Sequence, residues 1–120
     1  MDKKLKVDEV TIDGQVYVPK GTPAVLADNY YIVRTYSAGV HAGELVSQEG
    51  KEVVLKNARR IWYWAGAASL SQLAVDGTSR PEECKFPCEV TEIKLLEAIE
   101  MIPCTKIAQQ SIKGVPIWRK

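Results

Sequence analysis

The chain has 120 residues, which suits one domain, because a second core in so short a chain would be starved of apolar surface. With 46% hydrophobic and 26% charged residues it has the composition of a folding globular protein. A net charge of +1, from 16 Lys and Arg against 15 Asp and Glu, excludes a general nucleic-acid coat or a membrane-surface protein, since so small a charge exerts little field on an extended polyanion.

At the N-terminus, "MDKKLKVDEV" has basic residues with no apolar run behind them, so no signal peptide is predicted. No stretch approaches the roughly 18 apolar residues of a membrane span, and the expected compartment is the cytoplasm. Residues 9 to 18, "EVTIDGQVYV", alternate Val10, Ile12, Val16 and Val18 around Asp13-Gly14, which predicts a hairpin. A two-residue loop puts Val10 and Val16 on opposite faces and a three-residue loop aligns them; both registers are open. The break at "VPKGTP" divides the chain into a hairpin arm over residues 1–26 and a single α+β domain over residues 27–120.

In that domain "YYIVRTYS" (30–37) and "VHAGELVS" (40–47) predict strands turning at Ala38-Gly39, and "KEVVLKNA" (51–58) a third after Glu49-Gly50. "RIWYWAGA" (60–67) alternates Ile61 and Tyr63 against Trp62 and Trp64 and reads as a fourth. A helix is predicted over 67–77, with Leu70, Leu73 and Ala74 on one face and Gly77 as its stop. Residues 78–89, held between Pro81 and Pro87, read as a loop. Residues 90–103 fit either a helix through Ile93, Leu96, Ile99 and Ile102 or two short strands; the strands are preferred because the preceding meander needs partners for its edges. A second helix runs from the N-cap Thr105 to Gly114, and Trp118 is expected in the core. The predicted class is α+β and β-dominated: a small antiparallel meander or partly closed barrel with two short helices and the N-terminal hairpin.

Catalytic equipment is scarce. His41 is the sole histidine and has no nucleophile motif beside it, and neither phosphate-loop nor dinucleotide-binding glycine patterns occur. The cysteines, Cys84, Cys88 and Cys104, offer a single C-x3-C spacing in "CKFPC" with no second paired ligand, so a zinc site is not indicated and no metal or other cofactor is expected. Neither is an enzyme.

Binding equipment is richer. Residues 51–64 carry Lys51, Lys56, Arg59 and Arg60 against Glu52, whereas 81–100 carry six glutamates against two lysines. One basic site in a nearly neutral protein suits a small anion. Arginine forks clamp phosphate oxygens and aromatic rings stack on a base. Strand alternation places Arg34 with Tyr36, and Arg60 with Trp62 and Trp64, on shared faces. The candidate binding residues are therefore Arg34, Tyr36, Ser37, His41, Asn57, Arg59, Arg60, Trp62 and Trp64, with Asn57 as a reader of a base or ribose edge and the small residues of "YSAGVHAG" leaving room for the ligand. The competing structural account keeps the tryptophans in the core, the arginines over their rings, and the glycines in turns.

The runs "VRTYSAGVHAGEL", "VVLKNARRIWYWAGAASLSQLA" and "LLEAIEMIPCTKIAQQSIKGVPIW" resemble a family of small phage and prophage proteins, the type-one Thoeris anti-defence proteins, over residues 30–118. The resemblance implies a sponge that binds a cyclic ADP-ribose isomer made by a TIR-domain enzyme and holds it without cleaving it in the cytoplasm of the infected bacterial host. It also implies a homo-oligomer, a dimer or hexamer, with pockets shared between chains, and capacity for cyclic oligonucleotide signals. The alternative is a non-enzymatic phage structural or regulatory module using the Trp-rich strand as a protein interface. Neither involves long nucleic acid or a membrane.

Overall fold

The computed structural model describes residues 10–12, 15–17 and 25–119. Strands β1 (Val10–Ile12) and β2 (Gln15–Tyr17) pair antiparallel with Ile12 opposite Gln15 and Thr11 opposite Val16, the register that sets Val10 and Val16 on opposite faces. The remainder of the N-terminal arm lies outside the described residues.

The main sheet is antiparallel and five-stranded, in the order β6-β5-β4-β3-β7. It comprises β3 (Leu26–Thr35), β4 (Val40–Glu49), β5 (Glu52–Arg60), β6 (Val90–Leu95) and β7 (Ala98–Thr105). The first three form a meander through turns at Gly39 and Gly50, both with positive φ that glycine adopts without a Cβ penalty. Residues 90–103 hold two strands joined by a short link, as their role in completing sheet edges suggested.

β6 and β7 occupy opposite edges yet are joined by Leu96 and Glu97 alone. Four strand spacings in a flat sheet put those edges about 19 Å apart, whereas three Cα steps reach about 11 Å at most. The sheet must curl. Tyr36 N–H donates to the Glu97 carbonyl (2.9 Å) and Ala98 N–H to the Lys51 carbonyl (2.9 Å), tying the link to the ends of neighbouring strands. No ladder joins β6 to β7, so the sheet is bent but not closed into a barrel.

Curling gives two apolar layers. Tyr31, Val33, Leu55, Ala58 and Leu95 gather on one side, and Tyr30, Ile32, Ala42 and Phe86 on the other. Alternation along β3 explains this division, and the bulge at Asn57 (φ +49°) explains why Leu55 and Ala58, three residues apart, share a side. Asparagine tolerates the left-handed region better than most residues.

Two helices cover the second side. In α1 (Leu70–Asp76), Ser69 Oγ accepts from Gln72 N–H (3.1 Å) and Gly77 N–H donates to the Leu73 carbonyl (3.0 Å), so the predicted stop holds but the helix begins later than residue 67. In α2 (Lys106–Gly114), Thr105 Oγ1 accepts from Ala108 N–H (3.0 Å); Gly114 lies within the helix, which ends against Val115 instead. Leu73, Ala74, Ala108 and Ile112 are the buried faces of the pair.

Two further expectations change. β5 ends at Arg60, and the following aromatics form no strand, their backbone being tied only to Lys85 by an isolated bridge at Tyr63 and the Trp62 N–H. Trp118 is 38% exposed rather than in the core, because Phe86 bridges Ile117 and its carbonyl accepts Trp118 N–H (3.0 Å), holding the C-terminus along the surface.

Candidate functional site

Turn 36–39 and the segment leaving β5 meet at the end of the sheet. Thr35 Oγ1 donates to the Gly39 carbonyl (2.7 Å) and accepts from Ala38 N–H (2.8 Å), which fixes the turn. Ile61 N–H donates to the Val40 carbonyl (2.8 Å), drawing residues 60–64 alongside it. Between them lies an open cavity of about 320 Å³, lined by Ser37, Ala38, Gly39, Arg60, Trp62 and Trp64 among others.

Arg60 is exposed and donates through Nη1 to the Ala38 carbonyl (2.8 Å). A guanidinium carries five N–H donors, so anchoring one aims the fork without exhausting it. Trp64 is half-buried and its indole Nε1 donates to the Ala67 carbonyl (3.1 Å). Trp62 is 63% exposed, with its ring 6.4 Å from that of Trp118 and 7° from parallel. Lys85 Nζ sits over both Trp118 (5.7 Å) and Tyr63 (5.8 Å). The cavity thus offers an aimed cation, two indoles and a turn of small residues, a set suited to a planar ring attached to an anion.

The other candidates lie elsewhere. Arg59 is buried: Nε donates to Pro87 (3.0 Å), Nη1 to Ile112 (2.9 Å) and Val115 (2.8 Å), and Nη2 to Phe86 (2.8 Å) and Pro116 (3.5 Å), all carbonyls. Its cation also lies 5.5 Å from the Phe86 ring centre. Burial lowers its pKa from the ordinary value, yet its role is to tie the C-terminal segment and the 86–87 loop to β5, with its donors occupied. Asn57 Nδ2 donates to Glu44 Oε2 (3.3 Å) at the bulge. Arg34 pairs with Glu100 on the surface (2.9 Å), and Tyr36 is 76% exposed; neither lines this cavity.

His41 is buried, with Nε2 2.9 Å from the Ala38 carbonyl that also receives Arg60. Burial lowers its pKa from 6.5, the hydrogen bond to Ala38 opposes this, and the charge of Arg60 lowers it further. The folded state therefore binds its proton less readily than the unfolded chain. Stability should be undiminished above pH 6.5 and fall as pH drops below that value towards the lower folded pKa, by up to about 1.4 kcal/mol per pH unit. Urea midpoints between about pH 7.5 and 5, where this single histidine titrates ahead of ordinary carboxylates, would show the slope. A His41→Gln variant should lose it, and a flat wild-type profile would contradict the assignment.

Sequence reasoning missed Ile61 as a lining residue and Trp118 as the neighbour of Trp62, and it had Ala38, Gly39 and Val40 only as part of the "YSAGVHAG" stretch that leaves room for a ligand. The glycine was visible as a turn residue; nothing local marked Trp118 as surface. Among the described residues, no three His, Cys, Asp or Glu side chains are grouped to hold a metal ion, and no helix is long and apolar enough to cross a membrane. No curated protein and no solved structure matches the chain. A family model does match residues 28–112, from within β3 into α2, and the chain accordingly belongs to the family described as "Domain of unknown function (DUF6948)".

Proposed function

We propose that this protein binds and sequesters a cyclic ADP-ribose-type signal, in the manner of an anti-defence sponge acting in the cytoplasm of an infected bacterium, without cleaving it. The observation that carries the reading is the convergence of the Arg60 guanidinium with Trp62 and Trp64 on one open cavity. An adenine stacks on an indole, and a pyrophosphate takes the guanidinium fork. Capture without turnover needs affinity and no nucleophile. An open cavity on one subunit leaves much of the ligand wet, so the reading includes a homo-oligomer, a dimer or hexamer, whose second chain completes the enclosure. Cyclic oligonucleotides, which offer the same stacking bases and anionic linkage, are further candidate ligands.

Calorimetric titration with cyclic ADP-ribose isomers, followed by heating the complex and assaying the released ligand, tests this directly. Tight binding with intact ligand recovered is the expected result. Arg60→Ala and Trp62→Ala should each weaken binding by about 1 to 3 kcal/mol while leaving the melting temperature nearly unchanged, because both side chains are exposed. Wild-type affinity in both variants would sink the site.

A second reading rests on the exposed strip of Trp62, Tyr63, Ile117 and Trp118. Aromatic residues of this kind are enriched in protein interfaces, so a structural or regulatory phage module that docks through them is the alternative. It predicts no heat with any cyclic nucleotide and loss of assembly in Trp62→Ala.

A further inference from the structure

Arg60 lines more than the cavity against the indoles. A second cavity, of about 370 Å³, is bounded by Thr35, Arg60, Lys94, Leu96 and Glu97, and it shares Ser37, Ala38 and Arg60 with the first. Each cavity alone falls near the lower end of the ~300–1,000 Å³ typical of small-ligand sites. A ligand with ring systems at both ends and an anionic middle would use both, with its charge at the shared guanidinium.

The walls of the two cavities differ in chemistry. The first presents two indoles. The second is lined by one acidic and one basic residue, Glu97 and Lys94, beside apolar Ile93, Leu95 and Leu96. Lys94 Nζ is paired with Glu52 at 3.3 Å, whereas Glu97 has no ion pair among the described residues. An ionised carboxylate only accepts hydrogen bonds. Beside an anionic ligand it repels phosphate and favours whatever part of the molecule offers O–H donors, and in a nucleotide those are sugar hydroxyls. The backbone around Glu97 is held at both ends of the link by the bonds from Tyr36 and to Lys51, so its carboxylate stands on a fixed base.

We infer, resting on the nucleotide-binding reading above, that the two cavities form one bipartite site. The base stacks on the Trp62 side, the pyrophosphate lies at Arg60, and the second ribose enters the far cavity, where the Glu97 carboxylate accepts hydrogen bonds from its hydroxyls.

A chemical double-mutant cycle tests this. Wild-type protein and Glu97→Ala are titrated with a cyclic ADP-ribose isomer and with its analogue lacking the hydroxyls of the second ribose. Removing either partner should weaken binding about tenfold, and removing both should weaken it no further. Unchanged or tighter binding of the parent isomer by Glu97→Ala, or losses that simply multiply, would overturn the bipartite site while leaving the Trp-side reading standing. If wild-type protein binds no isomer, the sponge reading falls first and this inference with it. A melting curve of Glu97→Ala guards against misfolding; the exposed side chain predicts one superimposable on wild type.

Discussion

Arg59→Ala should cripple folding rather than binding. The substitution leaves the carbonyls of Pro87, Val115 and Pro116 without the Arg59 donors that now reach them, and those of Phe86 and Ile112 with only the backbone N–H groups of Trp118 and Val115. An orphaned buried polar group costs about 1 to 3 kcal/mol, and even with partial rehydration several together should exceed about 3 kcal/mol. For a domain of this size that corresponds to a fall in Tm of at least roughly 10 °C. Arg59→Lys should not rescue it, because an ammonium has three donors and no planar fork to reach carbonyls on two separate segments. Urea unfolding of both variants is the measurement; stability within about 1 kcal/mol of wild type would mean that water already serves those carbonyls. Arg60, one residue away, should show the opposite profile, intact folding with impaired binding.

Gly66→Ala should be nearly as damaging, for a steric reason rather than for lost hydrogen bonds. Gly66 has φ +81°, and a Cβ built there comes within 2.5 Å of Arg80 N and 2.7 Å of Ser79 N. Both are backbone atoms, so no rotamer change relieves the clash, and the left-handed conformation itself costs a further 1 to 2 kcal/mol or so with a side chain. The loss should exceed about 2 kcal/mol in urea unfolding. Gly50→Ala provides the control: φ is +60° there but nothing lies within 4 Å of the new Cβ, so only the conformational term, about 1 kcal/mol, should be seen. Equal losses in the two variants would show that the contact with residues 79 and 80 is not what matters. Because the loop at Gly66 also carries the Ala67 carbonyl that holds the Trp64 indole, Gly66→Ala should disturb the cavity as well as the fold.

Much of this architecture was legible in residue order because it depends on local chemistry. The β-branched and aromatic runs of β3 to β5, the glycine turns, the Gly77 stop and the Thr105 cap each act within a few residues. The bulge at Asn57 was not legible, since nothing in "LKNARR" announces a left-handed asparagine. That one residue determines how the side of Leu55 relates to that of Arg59. Adjacent arginines must fall on opposite sides of a strand, but which one is buried depends on where α2 and the 86–87 loop come to rest. Ser37, Arg60, Trp62 and Trp64, carried by one turn and a neighbouring strand end, line one cavity, whereas Asn57 reaches Glu44 on the adjacent strand and His41 turns back onto the Ala38 carbonyl three residues away. Glu97 carried no signal at all. It reaches the site only because the sheet curls.

The two-residue link between β6 and β7 also constrains how the chain can fold. Two strands joined so tightly would ordinarily zip into a hairpin within microseconds, yet here each must pair with a strand far away in the chain, β6 with β5 across the α1 region and β7 with β3 across almost the whole domain. The quick local pairing is the wrong one. Correct assembly has to wait until the meander has curled far enough to present both edges at once, so the closing of this link belongs to the late, slow part of folding, and the turn that carries Glu97 is among the last places to become native.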